Sequence, residues 1–435
     1  MLQPEMTIFA LSSGAPPAGV AVVRLSGAGS FGALEALTKK PLPKPRQAVV
    51  RTLIGRAGQI LDEALVLAFH GPHSFTGEDS VELHLHGSRA VVTAVLAELE
   101  KMDGLRLAEA GEFSRRAFEN GRIDLVEAEG LAELISAETE MQRRLAVEQS
   151  FGHQSDLYND WAARLTHARA MIEADLDFAD EDDVPGSVAD RILVDVTALQ
   201  KELLEHLAAA RAGEIIRDGY RIAIVGAPNA GKSSLLNALA DREVAIVTEV
   251  AGTTRDIIQV DLDLDGYLVR LFDTAGLRET DDLVEKEGVR RAIAMMEQAD
   301  LVLLLEEIDS VSKRDTIPAN KDVLHLGSKV DLHQSSEVYD VCVSAKDGTG
   351  LPALRTLLLK KVQAVWSGSV APVRHRQLNL LSEASASIAE ALSVDQLELR
   401  AEHLRAAASA LGRITGRVDV EQLLDVIFSQ FCIGK

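Results

Sequence analysis

The chain has 435 residues, 45 Lys plus Arg against 67 Asp plus Glu, and a formal charge of −22. At roughly 100–200 residues per domain this length predicts two to four domains, and 47% hydrophobic residues exclude wholesale disorder. The acidic balance argues against a protein coated in positive charge for nucleic acid. Two cysteines, Cys342 and Cys432, are too few for a disulfide framework and fit a reduced, cytoplasmic protein. No stretch reaches about 18 apolar residues, so no membrane span is expected. The N-terminus lacks the basic start of a signal peptide.

Residues 6–105 alternate short apolar runs with turn residues. Strands are predicted over 20–25, 64–69 and 80–86, with helices over 30–38 and 88–101, an α+β pattern. From residue 124 to about 212 the pattern is helical. Trp161, Leu165, Ala168, Ile172 and Leu176 recur at spacings of four, three, four and four, which is one helix face. Residues 173–183 carry seven carboxylates and no basic residue, and Pro185-Gly186 then breaks the chain. A solvated helix end explains the cluster; a metal site has no supporting spacing. Residues 221–366 alternate β-rich and helical segments, as in a doubly wound α/β sheet. Helical character returns over 377–391, 395–412 and 420–428. About three helices bury their stripes poorly alone, which favours one helical bundle interrupted by the α/β part.

A predicted strand, 221–225, runs into Gly226-Ala-Pro-Asn-Ala-Gly231-Lys232-Ser233, and a helix follows from Ser234. This fits G-x-x-x-x-G-K-[ST] without a mismatch. Glycines let backbone N–H groups, that of Ala230 included, wrap phosphates, and the helix N-terminus adds a positive dipole end. Lys232 is expected on the β- and γ-phosphates and Ser233 on Mg²⁺. Gly252, Thr253 and Thr254 follow about twenty residues on. A strand over 268–272 ends in Asp273-Thr274-Ala275-Gly276, with Asp273 expected on Mg²⁺ through water and the Gly276 N–H on the γ-phosphate. Ser328-Lys329-Val-Asp331 and Ser344-Ala345-Lys346 then stand where a guanine base is read and backed.

This set resembles the translation-factor-related GTPases, in which Asp331 would accept from the guanine N1 and N2 hydrogens. Their pattern is N-K-x-D, and here Ser328 replaces the Asn, which should weaken the contacts it serves. Leu277 stands where Ras-like enzymes place the water-orienting Gln, so a catalytic group must come from elsewhere. Asn229 is either a K⁺ ligand, the ion then stabilising charge as an arginine finger does, or a turn residue. Glu285 and Glu287 lie just downstream, as water-directing groups or as exposed helix residues.

The flanks contain Val23-Arg24-Leu-Ser-Gly27, Phe75-Thr-Gly-Glu-Asp79, Glu82-Leu-His84-Leu-His86-Gly87, Gly111-Glu-Phe-Ser-Arg-Arg-Ala-Phe118, Asn120-Gly-Arg122-Ile-Asp-Leu125 and a terminal Cys432-Ile-Gly-Lys435. In this order, around the central phosphate loop, they resemble the MnmE (TrmE) family of tRNA-modification GTPases along essentially the whole chain. The resemblance implies a multidomain α/β and α fold in four stretches. Residues 1–120 would form an α+β, aminomethyltransferase-like domain for tetrahydrofolate and dimerisation. Residues 121–213 and 371–435 would form one helical domain, with a Ras-like G domain over 214–370 inserted. It further implies a homodimer, an FAD-containing partner, MnmG (GidA), completing a heterotetramer, and a tRNA substrate. The pair would add an aminomethyl or carboxymethylaminomethyl group to C5 of the wobble uridine. The carbon would come from 5,10-methylenetetrahydrofolate, with 5-formyltetrahydrofolate as analogue.

By the same resemblance the folate site includes Arg24, Glu82, Arg122 and Lys435; the family usually has Lys at position 122. Without the resemblance, Arg24 and Arg122 read equally as surface ion pairs. Cys432 is either a nucleophile or a packing residue. His84 and His86 share a strand face without metal-ligand spacing and read as structural or polar-site residues. The nucleotide would be held by residues 226–234, Ser234 included, and by Thr248, Glu249, Val250, Ala251, Gly252, Thr253 and Thr254. K⁺ falls to Asn229, Thr248, Val250 and Thr253, Mg²⁺ to Ser233 and Thr254, and water orientation to Glu285. K⁺ would join two G domains face to face, making hydrolysis a switch. Two other functions fit parts of the pattern. One is a GTP-dependent ribosome or RNA assembly factor without folate chemistry. The other is a folate protein with a degenerate nucleotide domain.

Overall fold

The computed structural model describes residues 6–177, 188–227, 229–242, 244–246, 258–273, 294–309, 321–365, 371, 373–418, 421–429, 431 and 434. The chain forms two compact units, 1–132 with 152–162 and 411–435, and 133–151 with 163–410.

The first unit is built on a six-stranded sheet: β1 (Thr7–Leu11), β2 (Val20–Ser26), β3 (Val49–Ile54), β4 (Ile60–Phe69), β5 (Ser80–His86) and β6 (Leu105–Leu107). Their order is β3-β4-β5-β2-β1-β6, antiparallel except for β1–β6. Side chains alternate across a strand with period two. Ala21, Val23 and Leu25 on β2, with Val81, Leu83 and Leu85 on β5, are therefore buried together. They lie against α1 (Ser30–Thr38) and α2 (Arg89–Glu100), whose Ala33, Leu34, Leu37, Val92, Val95 and Leu99 complete that core. The Ser88 hydroxyl caps α2, accepting from the Val91 N–H. The opposite sheet face carries Arg24 on β2 and Glu82, His84 and His86 on β5. Part of that face is covered where Ile8 and Ala10 meet Ala108, Phe113 and Phe75.

The helix α3 (Glu112–Glu119) and the start of α4 (Leu125–Ser136) complete this unit with the C-terminal α12 (Glu421–Ser429). Leu125, Ala128, Leu424, Ile427, Phe428 and Phe431 form one cluster, with Phe118 packed against it. Two glycines let the C-terminal segment approach. A Cβ on Gly111 (φ 67°) would stand 2.2 Å from the Phe428 carbonyl oxygen, and one on Gly434 (φ 97°) 2.1 Å from that of Leu11.

The second unit contains α5 (Glu140–Ser150), most of α6 (His153–Asp177), α7 (Val188–Asp218) and a seven-stranded sheet. The sequence pattern ends the helical zone near 212, but α7 runs on to Asp218, where Gly219 (φ 87°) stops it. The strands are β7 (Tyr220–Val225), β8 (Val244–Ile246), β9 (Ile258–Leu264), β10 (Tyr267–Asp273), β11 (Leu301–Glu307), β12 (Val323–Ser328) and β13 (Val341–Val343), in the order β13-β12-β11-β7-β10-β9-β8. The five from β13 to β10 are parallel, and β9 pairs antiparallel with both β10 and β8. Ile222 and Ile224 face a core shared with α8 (Lys232–Arg242) and α9 (Leu351–Val365), while Ala223 packs with Met296, Ala299 and Val302 on the other face. Both faces are covered, as a parallel sheet requires.

The helices α10 (His375–Ser393) and α11 (Leu397–Thr415) follow. Gln200 on α7 donates to the Ser385 carbonyl (3.2 Å), Arg217 to the Val373 carbonyl (3.0 Å), and Arg374 pairs with Glu133 at 2.7 Å. Helical segments on both sides of the α/β part therefore meet. Among the described residues no helix is long and apolar enough to cross a membrane.

Candidate functional site

Parallel strands bring their C-terminal ends to one edge, where α/β folds bind ligands. Gly226 follows β7, Asp273 ends β10, Ser328 ends β12 and Ser344 follows β13. Gly226 is required by β11: a Cβ there would lie 2.2 Å from the Leu305 carbonyl oxygen. Asn229 (φ 68°) and Gly231 (φ 96°) turn the loop through left-handed conformations, which Asn tolerates better than most residues. Ala230 is buried in the core and Asn229 is exposed.

Lys232 is 7% exposed, and its ammonium donates to the Gly226 (2.8 Å) and Ala227 (3.0 Å) carbonyls. Burial pulls its pKa below the usual lysine value, and the Asp273 charge opposes that pull. The Ser233 hydroxyl, at the start of α8, donates to Asp273 Oδ2 at 2.6 Å. A hydroxyl and a carboxylate this close, beside a phosphate loop, form the oxygen donor set that suits Mg²⁺. Ser234 is exposed on the same first turn.

At the other end of the edge, Val330 N–H donates to the Val343 carbonyl at 3.3 Å and ties the two base-site loops together. The buried Ser344 hydroxyl accepts from the amides of Lys346 (3.3 Å) and Asp347 (3.4 Å), shaping the turn through Ala345. Asp331 is exposed. Lys329 (φ 61°) pairs with Glu307 at 2.7 Å, and that hydrogen bond holds the Glu307 carboxyl below its usual range. Ser328 is only 5% exposed, and its hydroxyl has no hydrogen-bond partner among the described residues. An oxygen that water cannot touch is closed to a base edge as well.

In the first unit, register places Arg24 opposite Glu82. Arg24 donates to Glu82 Oε1 through Nη2 (2.9 Å) and Nε (3.2 Å), and His84 Nε2 lies 3.3 Å from Glu82 Oε2. The guanidinium also lies 5.4 Å from the Phe75 ring centre and 5.9 Å from that of Phe113, within cation–π range. His86, largely exposed, pairs instead with Asp62 at 2.7 Å. The Arg122 stem lies along Gly77, where a Cβ would come within 3.2 Å of its Cγ. Asn120 Nδ2 donates to the Thr76 carbonyl at 2.8 Å. The loop carrying Phe75 and the segment carrying Arg122 are thus joined.

A buried network beneath them has no role in the sequence reading. Glu112 is 2% exposed and pairs with both Arg106 and Arg116; Arg116 reaches Glu78 (3.2 Å), and Glu78 accepts from Ser26 (2.6 Å). Burial alone would raise the Glu112 carboxyl. Hydrogen bonds from Arg106 and the Glu109 amide, with the two arginine charges, hold it below its usual value instead. Glu78, Glu112 and Arg116 stand inside recognisable motifs; helical spacing of four relates Glu112 to Arg116, but only the folded chain shows Glu78 meeting them.

Thr248, Glu249, Val250, Ala251, Gly252, Thr253, Thr254, Thr274, Ala275, Gly276, Leu277, Glu285, Glu287, Cys432 and Lys435 lie outside the described residues, as does most of the acidic cluster. Among the described residues no group of three or more His, Cys, Asp and Glu is placed to hold a metal.

Residues 7–122 match the model of the GTP-binding protein TrmE N-terminus, and residues 125–432 that of the MnmE helical domain. This chain belongs to the MnmE (TrmE) family. It is 57% identical to the tRNA modification GTPase MnmE of Agrobacterium fabrum and 58% identical to that of Sinorhizobium medicae, in both cases over 99% of each chain. Among solved structures, a variant of Aquifex aeolicus Era bound to GDP and aluminium fluoride aligns with 38% of this chain and 66% of its own. Its identity is 25% and its TM-score 0.27. The strand order and phosphate loop of this chain, not that superposition, identify its nucleotide-binding fold.

Proposed function

We propose that this protein is a cytoplasmic, K⁺-dependent GTPase of tRNA modification. The observation that carries the nucleotide reading is the cluster at the end of the parallel strands. There Lys232 rests on two loop carbonyls and Ser233 meets Asp273 at 2.6 Å. Lys232 would move onto the β- and γ-phosphates, while Ser233 and Asp273 would hold Mg²⁺, the latter through water. The ion would neutralise charge on the phosphate oxygens. Asp331 would select guanine, backed by Ala345 and Lys346. With the Ser328 hydroxyl buried, base selection falls mainly to Asp331. Asn229, exposed in its left-handed turn, would offer its amide oxygen to K⁺ beside Thr248, Val250 and Thr253. Thr254 would complete the Mg²⁺ site, and Glu285 would orient the attacking water.

Family membership supports the second half of the reading. Residues 1–120 would bind tetrahydrofolate and form a homodimer. Residues 121–213 and 371–435 would form the helical domain, and 214–370 the G domain. Arg24 is already paired with Glu82, so together they offer donors and an acceptor suited to a neutral pterin edge. Exposed Arg122 suits the anionic glutamate tail; by the family resemblance Lys435 would join that site and Cys432 would act on the carbon carrier. With the FAD-containing MnmG partner, the complex would modify C5 of the wobble uridine, using 5,10-methylenetetrahydrofolate. GTP hydrolysis would time the rearrangement without supplying carbon. Mass analysis of tRNA nucleosides from cells lacking the protein tests this reading; unchanged wobble uridines would sink it. Equal GTP hydrolysis in K⁺ and Na⁺ would remove the cation from the mechanism.

A further inference from the structure

Between Glu35 and Asp62 the chain contains Lys39, Lys40, Lys44, Arg46, Arg51 and Arg56, and no acidic residue. The whole chain carries a charge of −22, so this run opposes its surroundings. The residues leave α1, cross a loop stiffened by Pro41, Pro43 and Pro45, and follow β3 into the turn before β4. Among the described residues the strand β3 is an edge of the six-stranded sheet. Arg51 is half-buried, and the other five are exposed.

Two observations separate this run from ordinary solvated charge. Among the described residues none of the six forms an ion pair, whereas Arg24, Lys101, Arg106, Arg115 and Arg116 of the same unit all do. Two of the arginines are also held in place by neutral acceptors. Arg46 donates to the His73 carbonyl (3.0 Å) and Arg56 to the Lys101 carbonyl. The Arg46 amide bonds the Ala68 carbonyl at 2.9 Å, and Arg46 itself sits in a left-handed turn (φ 59°). The Glu98 carboxylate accepts from the Arg56 amide at 3.0 Å and feels its charge, without pairing with its guanidinium; the Arg46 guanidinium is oriented by a neutral acceptor alone.

An exposed edge needs only a charge or two to prevent strand pairing, and the C-terminal end of α1 favours Lys39 and Lys40. Neither effect calls for Lys44, Arg46, Arg51 and Arg56 together. A strand rises about 3.3 Å per residue, so the row from Arg46 to Arg56 runs beside several phosphates of a nucleic acid strand. We propose that the β3 edge and the loop before it are a docking surface for an RNA phosphate backbone. The identity of that RNA as tRNA rests on the function proposed above. Because the net charge of the rest of the chain is negative, such a patch would dictate which way the RNA approaches.

The test is titration of the full-length protein with unmodified tRNA, by fluorescence anisotropy, over a range of salt. The variant carries Lys44→Gln, Arg46→Gln, Arg51→Gln and Arg56→Gln, with its fold checked by thermal melting. Affinity should fall at least about tenfold. The slope of log affinity against log salt should become shallower by roughly three, since each phosphate contact contributes about 0.7–0.9. The charge-keeping variant with Lys44→Arg and Arg51→Lys should bind as the wild type does, and GTP hydrolysis without RNA should be unchanged in both. Wild-type affinity and slope in the four-fold variant overturn the proposal, as does a wild-type protein that binds no tRNA. So does intact RNA affinity combined with a changed oligomeric state, which would make the edge a protein contact. If wobble uridines are normal in cells lacking the protein while the four-fold variant loses RNA, the modification reading falls and this surface stands.

Discussion

The phosphate loop and the Arg24 face each hold a cation against acceptors of the chain itself, but the acceptors differ in charge. Lys232 rests on neutral carbonyls, so an arriving phosphate displaces only dipoles. Arg24 rests on the Glu82 carboxylate, so an arriving anion must compete with a full charge. The first arrangement suits tight anion capture, and the second suits a ligand that shares the ion pair. The two also differ in assembly. The phosphate loop is one short stretch between β7 and α8. The Arg24 face draws on β2, β5, the Phe75 loop and α3, with the C-terminal segment packed behind.

Substitutions sharpen this contrast. Lys232→Ala should weaken GTP binding at least about a hundredfold, since charge-assisted bonds to phosphate contribute roughly 1.5–3 kcal/mol each. Nucleotide titration checks this, and retained affinity would break the phosphate-site side. Gly111→Ala should cost about 2–3 kcal/mol, because its Cβ meets the Phe428 carbonyl at a left-handed position. Calorimetry should show the first unit melting several degrees lower. Arg24→Ala should weaken 5-formyltetrahydrofolate about tenfold, roughly 1.4 kcal/mol, less than the loss at Lys232. A larger loss would mean that Arg24 meets the anionic tail directly.

Acid should act on the buried network. The Glu112 pKa is lowered in the folded chain, so its stabilisation is present above the unfolded value, about 4.3. It is lost as pH falls through the folded value. Glu112→Gln should therefore flatten the acid limb of the stability curve while lowering stability at neutral pH, as denaturant titrations at several pH values would show. The smallest effect is expected at Ser328. Removing a buried hydroxyl that has no partner among the described residues should leave nucleotide affinity within about twofold, and Ser328→Ala should be neutral or slightly stabilising. A marked loss of GTP affinity would show that the hydroxyl reaches the base after all.

The contrast also explains what the sequence made legible. A phosphate loop is local: glycines, Lys232 and Ser233 take their places from neighbours in the chain. Period-two alternation likewise puts Arg24, Glu82 and His84 on one sheet face. Glu112 and Arg116 are an i,i+4 pair on α3 that spacing could have offered, but the pairing of Arg116 with Glu78 joins separate segments, and no local pattern encodes it. The burial of Ser328 is equally hidden, because it depends on how the ends of β12 and β13 close together. The end of α7 was legible in principle, in the glycine at 219, but helical periodicity fades before it.

The docking of α12 on α3 has a consequence for synthesis. Arg115 pairs with Asp425, 310 residues later, and Gly111 receives Phe428. At about 5–20 residues per second, roughly 15–60 s separate the emergence of these partners from a ribosome. The strands and helices from β7 to α9 follow one another without such a gap. The phosphate-binding part can therefore be complete on the nascent chain while the N-terminal sheet still lacks its last layer. A chaperone that shields Phe118 and Leu125 during that interval would act on folding yield without touching the finished protein.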